Sequence, residues 1–324
     1  MRRRVSVRRL LLALLGAFAA AVLVLNWTYG RLPAEPKPTG AFVQVGKLRI
    51  RYLERPGSGT PVVLIHGLPG TADDFDELTP LLAGHRTIAL DRPGFGYSTG
   101  GYVSFPRQIQ AIHELLAVLH VTRPILVGHS YGGTIALAFA ERYPKEVQGL
   151  VLVDAAAGRG PPRHNGFQHL QAHFLHVLEL PVIWQLANVT FSQLLRTVSA
   201  EMADSEAFDP QPVAAAHRDR VLSINMTRGN LEALAGEYLA SDKVITQINQ
   251  GLGSIKVPSV VIQGESDKFV KPIYGRHLAA ELPQARLEMV PGGHMAPYTH
   301  PSAIATAVQS ISPAQPASHH RHGR

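Results

Sequence analysis

Short apolar segments alternate with longer amphipathic segments along most of this chain, and this alternation restricts the folds that it can adopt. Several of the short runs are apolar at nearly every position, which is typical of strands buried on both faces. Strand–helix–strand connections make neighbouring strands parallel and place helices on both faces of the sheet. We therefore predict an α/β fold with a mostly parallel, eight-stranded sheet.

The predicted elements follow from the apolar periodicity and the Gly and Pro residues between them. The strands are Ala41–Val45, Leu48–Glu54, Val62–Ile65, Thr87–Leu90, Ile125–Val127, Leu150–Val153, Ser259–Ile262 and Arg286–Val290. The helices are Asp73–Ala83, Pro106–His120, Tyr131–Tyr143, Pro272–Leu282 and Pro301–Ser312.

The alternation stops between about residues 155 and 255, where helical periodicity continues without strand-like runs. A stretch this long cannot be a connecting loop. We predict a helical cap at 156–254, inserted into a core formed by 41–155 and 255–312. The Pro-rich residues 31–40 are predicted to form a stiff linker, and the low-complexity residues 313–324 are predicted to form a disordered tail.

The N-terminus has the pattern of a membrane-spanning helix. Residues 10–27 carry no charge, and 18 residues at about 1.5 Å each span about 27 Å, close to the hydrocarbon thickness. Five arginines precede this span, which favours a cytoplasmic N-terminus. We predict that residues 1–30 form a single-pass anchor in the lipid bilayer and place the rest outside the cytoplasm. The alternative is a cleaved signal peptide and a secreted protein.

Charge and composition exclude several classes of protein. Five arginines at the N-terminus and two at the C-terminus account for the whole net charge of +7, so residues 31–312 are formally neutral. A nucleic-acid partner therefore has no support. The chain has no Cys, which excludes disulfides, thiolate catalysis and Cys-ligated zinc.

Residues 128–133, GHSYGG, contain a G-x-S-x-G pattern between a predicted strand and an Ala- and Leu-rich helix. A nucleophile at such a turn takes a strained backbone conformation, and flanking glycines let the strand and helix approach closely. We predict that Ser130 is a nucleophile at the carboxyl edge of the sheet, beside the free N–H groups of the first helical turn. The alternative is a structural glycine-rich turn.

Two later loops carry the groups that would activate this serine, which needs a base oriented by an acid. Asp267 lies just after the seventh predicted strand, and His294 just after the eighth. Because the carboxyl ends of parallel strands share one edge, we expect both side chains beside Ser130. Asp154, which also follows a strand, is the alternative acid.

Five segments together resemble the α/β-hydrolase fold superfamily, and in particular its capped enzymes, which include epoxide hydrolases, haloalkane dehalogenases and carboxylesterases. They occur in the family's order and span about residues 41–312, with the cap similar only in place and length. The order Ser130, Asp267, His294 is also that of the family. The segments are HGLPG (66–70), DRPGFGYS (91–98), GHSYGG (128–133), GESD (264–267) and GGH (292–294).

The resemblance implies the chemistry. Epoxide hydrolases and haloalkane dehalogenases of this family use Asp as nucleophile, whereas Ser130 favours acyl transfer through an acyl-enzyme. The backbone N–H groups of Leu68 and Tyr131 would form the oxyanion hole, and no cofactor would be required. The resemblance also implies that five neighbouring residues support the active site: His66, Gly67, Gly128, His129 and Gly132.

Two groups of histidines could hold a metal. His169, His173 and His176 share one helical face, but no carboxylate accompanies them and the family's cap needs no metal. The histidines at 319, 320 and 322 lie in the predicted disordered tail. We predict no metal site.

These observations predict a serine hydrolase that cleaves an ester or related acyl bond of a small or apolar substrate. The same triad could instead catalyse C–C bond hydrolysis or cofactor-free perhydrolysis, which differ from ester cleavage in pocket shape. A third interpretation is a non-catalytic ligand-binding protein of the same fold.

Overall fold

The computed structural model contains one eight-stranded sheet, which confirms the predicted fold class. The described residues are 13–21, 23–24, 36–160, 207–208, 212–225 and 227–312. The strands are β1 (Ala41–Val45), β2 (Leu48–Arg55), β3 (Gly59–Ile65), β4 (His85–Leu90), β5 (Ile125–His129), β6 (Gly149–Val153), β7 (Ser259–Gly264) and β8 (Ala285–Val290). The helices are α1 (Phe105–Val118), α2 (Tyr131–Arg142), α3 (Ala215–Asn225), α4 (Arg228–Gly251), α5 (Pro272–Glu281), α6 (Ala296–Thr299) and α7 (Pro301–Ile311).

The strands are arranged in the order β1-β2-β4-β3-β5-β6-β7-β8. Strand β2 runs antiparallel to both of its neighbours, and every pair from β4 to β8 is parallel. All the loops that follow β3 to β8 therefore leave the sheet at its carboxyl edge. This edge is where ligand sites form in sheets of this kind.

The central strands are buried on both faces because alternate side chains point to opposite sides. Leu126 of β5 packs into one apolar layer with side chains of α1, α2 and α5. Val127, the next residue, packs into a second layer, which includes side chains of α7. The uninterrupted apolar runs of the sequence are explained by these two layers.

The predicted helix Asp73–Ala83 is wrong. Two short 3₁₀ segments, Ala72–Phe75 and Thr79–Leu82, occupy this region. Pro80 is in the first turn of the second segment. In a continuous helix its ring would clash with the preceding turn, and it has no N–H to donate to that turn.

Parts of three predicted regions lie outside the described residues. At the N-terminus, residues 13–21 and 23–24 are helical, and no helix among the described residues is long and apolar enough to cross a membrane. The predicted cap is described only at its two ends and at 207–208. Helices α3 and α4 form its C-terminal part. Its three spaced histidines and the C-terminal tail are not among the described residues.

A buried arginine ties the loops of the carboxyl edge to strand β2. The Arg51 guanidinium contacts Asp73 at 2.7 Å and both oxygens of Asp91 at 3.2 Å, and its side chain is only 1% exposed. Asp91 also accepts hydrogen bonds from the backbone N–H groups of Ala72 and Tyr97. One cation therefore contacts two buried carboxylates and connects two loops, and Arg220 lies 3.6 Å from Asp73 as a second cation.

We expect Arg51→Met to destabilise the fold by about 3–5 kcal/mol, because it leaves the buried Asp91 carboxylate without its cation and leaves Asp73 with Arg220 at 3.6 Å. The matched control is Arg49→Met. Arg49 is exposed on the same strand with its guanidinium over the Phe42 ring, and its loss should cost about 1 kcal/mol or less. Urea unfolding of the two variants measures the difference. Equal effects would contradict the role given to Arg51.

Candidate active site

Ser130 occupies a strained turn between β5 and α2. Its backbone has φ 52° and ψ −121°, a region that residues with side chains rarely adopt. Three hydrogen bonds of 2.9 Å hold this conformation: its N–H donates to the Val153 carbonyl, and its carbonyl accepts from Gly133 and Ala156. The neighbouring strand β6 and the first turn of α2 therefore fix the direction of the hydroxyl.

Two glycines allow the turn to fit against strand β3 and helix α2. A Cβ at Gly132 would lie 2.1 Å from the Ile65 carbonyl oxygen, and a Cβ at Gly128 would lie 2.5 Å from the Gly132 carbonyl oxygen. Both neighbours are backbone atoms and cannot move aside cheaply. Any side chain at either position would displace Ser130.

The three residues predicted to act together are hydrogen-bonded to one another. The His294 Nε2 atom lies 2.9 Å from Ser130 Oγ, and its Nδ1 atom lies 2.7 Å from Asp267 Oδ2. Asp267 is further held by the backbone N–H groups of Phe269 and Val270, which donate to Oδ1 at 2.8 and 2.9 Å. The serine hydroxyl can therefore donate to an imidazole whose other nitrogen donates to a carboxylate.

The charge of Asp267 decides how His294 titrates. Burial lowers the pKa of His294, but the Asp267 charge and hydrogen bond, together with the Asp154 charge, outweigh burial and raise the pKa above its ordinary value of 6.5. The imidazole is therefore a stronger base than an isolated histidine.

Asp154 joins the loops that carry Asp267 and His294. Its Oδ1 accepts from the Gly264 N–H at 2.7 Å, and its Oδ2 accepts from the Ala296 N–H at 3.4 Å. Burial and the nearby Asp267 charge raise the pKa of Asp154 to about 8. Its oxygens bind backbone groups of both loops, whereas Asp267 contacts the imidazole of His294.

His66 and His129, predicted to support the site, each contact the backbone of a neighbouring loop. His129 Nε2–H donates to the His294 carbonyl at 2.8 Å, and burial lowers the pKa of His129 to about 3. His66 Nε2 accepts from the Arg92 N–H at 2.9 Å, which leaves Nδ1–H to donate to the Gly67 carbonyl at 3.0 Å. Burial also lowers the pKa of His66 well below its ordinary value. Both rings are thus neutral.

The N–H groups of Leu68, in the loop after β3, and of Tyr131, in the first turn of α2, belong to segments that border the serine. Tyr131 is the first residue of α2, where backbone N–H groups have no helical partner. Gly67, which precedes Leu68, lies so close to Ser130 that a Cβ on Gly67 would be 2.9 Å from Ser130 Cβ. Neither N–H makes a hydrogen bond to another group in the part of the chain that the structure describes.

The family profile described as alpha/beta hydrolase fold matches residues 60–301. The chain belongs to the α/β-hydrolase fold family. Lipase 1 of Psychrobacter immobilis is 28% identical over 239 residues, which cover 72% of this chain and 70% of the lipase. A 2-hydroxy-6-oxo-6-phenylhexa-2,4-dienoate hydrolase of Burkholderia cepacia is 28% identical over 268 residues, which cover 78% of this chain and 87% of that enzyme.

A solved structure shares the fold of this α/β-hydrolase chain. Cfl2 wild-type from Burkholderia cenocepacia superposes with a TM-score of 0.69 at 24% identity, covering 86% of this chain and 98% of Cfl2.

One cluster in this α/β-hydrolase chain has the composition of a metal site. Donor atoms of His129, Asp154 and His294 lie within 4.8 Å of one another. His294 uses both ring nitrogens, and Asp154 both oxygens, in the hydrogen bonds described above. We interpret the cluster as hydrogen-bonded support for the two loops.

Sequence reasoning missed two charged residues beside the site, Arg92 and Glu237, which form a fully buried ion pair at 2.8 Å. Arg92 lies in the DRPGFGYS segment, whose arginine was given no role. Glu237 lies four residues after Ala233 and four before Ser241, and all three are buried. This spacing on one face of a helix was the available signal that the carboxylate points inward.

We expect His294 to titrate above 6.5 and its pKa to fall in Asp267→Asn, because burial is then opposed only by the charge of Asp154. His129 should remain neutral down to about pH 3. Histidine-selective NMR titration of the folded chain measures all three values. Glu265→Gln, which removes an exposed charge from the same loop, is the control and should leave His294 unchanged. An unaltered His294 pKa in Asp267→Asn would show that the carboxylate does not govern the imidazole.

Proposed function

We propose that this chain is a serine hydrolase that cleaves an ester or related acyl bond of a small or apolar substrate. The hydrogen-bonded series from Ser130 through His294 to Asp267 carries the proposal, because it supplies a nucleophile, a base and an orienting acid in contact. Their location at the carboxyl edge of the sheet agrees with the family.

In the proposed reaction, Ser130 Oγ attacks the substrate carbonyl carbon while His294 Nε2 takes the hydroxyl proton. The tetrahedral oxyanion would be bound by the N–H groups of Leu68 and Tyr131, and one such donor is typically worth about 2.7–4 kcal/mol. His294 then protonates the leaving group, and the acyl-enzyme forms. Water, deprotonated by His294, attacks that ester, and His294 returns the proton to Ser130 Oγ as the acid leaves. Asp267 orients the imidazole and stabilises its cation throughout.

Hydrolysis of a C–C bond is the second candidate. It is favoured by the similarity to a 2-hydroxy-6-oxo-6-phenylhexa-2,4-dienoate hydrolase, which is as identical to this chain as the lipase. Both reactions use an activated nucleophile and an oxyanion site, so the substrate pocket has to distinguish them.

The predicted cap would form the roof of that pocket. The Ala207 carbonyl accepts from the Met295 N–H at 3.0 Å, directly after His294 in the chain. Phe208 is buried against the Tyr298 ring with centroids 5.5 Å apart. These contacts support an apolar cover over the serine that excludes water from the acyl transfer. The other aromatic residues assigned to this cover, which are outside the described residues, are Phe167, Phe174, Trp184 and Phe191.

We expect a fluorophosphonate probe to label the wild-type chain covalently and to leave Ser130→Ala unlabelled. Phosphonylation needs the activated serine, so exposed serines elsewhere should not react. The control is Ser266→Ala, an exposed serine beside Asp267 in the same loop. Intact-mass and peptide mass spectrometry identify the labelled residue. A folded wild type that takes up no label would favour the non-catalytic binding protein.

Substrate panels separate the two enzymatic candidates. p-Nitrophenyl esters of rising acyl length test ester cleavage, and a 2-hydroxy-6-oxo-dienoate tests C–C cleavage. Lactone, epoxide and haloalkane compounds serve as comparisons, with a peroxide-forming assay for perhydrolysis. Ester turnover at least about tenfold above dienoate turnover in kcat/KM supports the first candidate, and the reverse supports the second.

We propose that residues 1–30 anchor the chain in the bilayer, with the hydrolase domain outside the cytoplasm. The charge-free stretch at 10–27 and the five preceding arginines support this location.

We expect the full chain to stay in the membrane fraction after a high-salt wash, and a chain beginning at Thr39 to be soluble and active on soluble esters. N-terminal sequencing of the secreted or membrane-bound product distinguishes an anchor from a cleaved signal peptide. Full-length protein in the soluble cytoplasmic fraction would contradict both.

A further inference from the structure

The carbonyl of Gly67 accepts hydrogen bonds from two fully buried side chains. Arg92 Nη2 donates to it at 2.8 Å, and His66 Nδ1–H donates at 3.0 Å. Both side chains have no exposed surface. A carbonyl with two such donors is held in direction far more tightly than a loop carbonyl facing water.

Holding this carbonyl also holds the N–H of Leu68. The two groups belong to one planar trans peptide unit, in which the C=O and the N–H point in opposite directions. Gly67 lies against Ser130, since a Cβ at Gly67 would be 2.9 Å from Ser130 Cβ, and this N–H belongs to the next residue of the same loop. A rotation of the peptide plane would turn the donor away from the position of an oxyanion.

Arg92 is in turn held by a partner from α4. Its Nη1 contacts the two carboxylate oxygens of Glu237 at 2.8 and 3.0 Å and donates to Gln108 Oε1 at 2.9 Å. Its guanidinium also lies over the rings of Phe95 and Tyr131, 4.4 and 5.4 Å from their centroids. One nitrogen therefore faces the carboxylate while the other faces Gly67.

We propose that Arg92 is a positioning residue that orients the Gly67–Leu68 peptide for oxyanion binding, and that Glu237 on α4 holds Arg92 in place. The inference rests on the proposed function, since it assigns the Leu68 N–H to the oxyanion hole. It makes the oxyanion donor dependent on a side chain from the region predicted as the cap.

Lysine cannot reproduce this arrangement. A single ammonium can pair with Glu237, but it lacks the rigid fork that reaches two acceptors in different directions. Arg92→Lys therefore keeps the buried carboxylate neutralised while it removes the contact to Gly67. The matched control is Arg51→Lys, since Arg51 is equally buried and paired with carboxylates but makes no contact with Gly67.

The experiment compares steady-state kinetics and boronate affinity in the full-length wild type, Arg92→Lys and Arg51→Lys. The substrate is the best p-nitrophenyl ester, and the inhibitor is phenylboronic acid. Ser130 Oγ adds to boron as its proton passes to His294, and the product is a tetrahedral boronate anion that resembles the oxyanion intermediate. Thermal unfolding by circular dichroism verifies that each variant is folded.

We expect Arg92→Lys to lower kcat about 10- to 100-fold with KM within about threefold, because a displaced donor acts mainly on the transition state. Boronate affinity should fall by a similar factor. Arg51→Lys should change kcat and boronate affinity less than about threefold, even where it lowers thermal stability. A merely structural role for Arg92 would instead move stability without this split between kcat and KM.

A double variant covers the case in which Arg92→Lys does not fold. Arg92→Met with Glu237→Met removes both charges together and leaves no unpaired buried carboxylate, a replacement that proteins tolerate well. The same loss of kcat and boronate affinity is expected.

Wild-type kcat in either folded Arg92 variant would overturn the inference and leave the proposed function intact. Loss of kcat and boronate affinity in Arg51→Lys to the same degree would also overturn the inference, because any buried arginine would then suffice. A wild type without ester turnover or boronate binding would refute the proposed function and the inference together.

Discussion

The backbone at Ser130 is held in a conformation that almost no residue with a side chain adopts freely, and the site is built around it. The N–H of Ser130 donates to the carbonyl of Val153, and its own carbonyl accepts from two N–H groups in different elements. The cost of the strained torsion is of order 1–3 kcal/mol. It is offset by bonds to strand β6 and helix α2, which are buried and cannot shift separately. The backbone of this turn is therefore held by main-chain hydrogen bonds, and the hydroxyl adds a hydrogen bond to His294 Nε2.

The imidazole and its carboxylate depend on a different constraint. The His294 and Asp267 loops follow neighbouring parallel strands, β8 and β7, so the sheet brings their starting points close together. The buried carboxyl of Asp154 then accepts an N–H from each loop, and His129 donates to the His294 carbonyl. Each loop is thus tied to the end of a central strand. This arrangement places the imidazole between hydroxyl and carboxylate with hydrogen bonds of 2.9 and 2.7 Å.

Two ion pairs connect the loops of the sheet to helices α3 and α4. Arg92, in the loop after β4, pairs with Glu237 of α4, and Arg220 of α3 pairs with Asp76 at the end of a 3₁₀ segment. The first pair is fully buried, so removing one partner would leave a charge in an apolar environment. The second is partly exposed and contributes less. The buried pair joins helix α4 to the loop whose Arg92 contacts the Gly67 carbonyl.

The fold class and the identity of the three residues that meet at the carboxyl edge could be predicted from the residue pattern alone. Apolar runs such as Leu150–Val153 indicate strands buried on both faces but not which strands are neighbours, so they identified strands without their order. Loop position after a strand was sufficient for Ser130, Asp267 and His294, because parallel strands share one edge. Pro80 was visible in the sequence, yet the helix predicted across it was wrong.

The pairing of buried charged residues became visible only in the folded chain. Arg92 and Glu237 are 145 residues apart, and the local pattern around Glu237 indicates an inward-facing side chain without indicating its partner. The acid could likewise be chosen only in space: Asp154 and Asp267 both follow strands, but Asp267 contacts the imidazole and Asp154 binds the backbone of the two loops. The physical reason is that local periodicity records which way a side chain points, whereas its partner is set by contacts between elements distant in the chain.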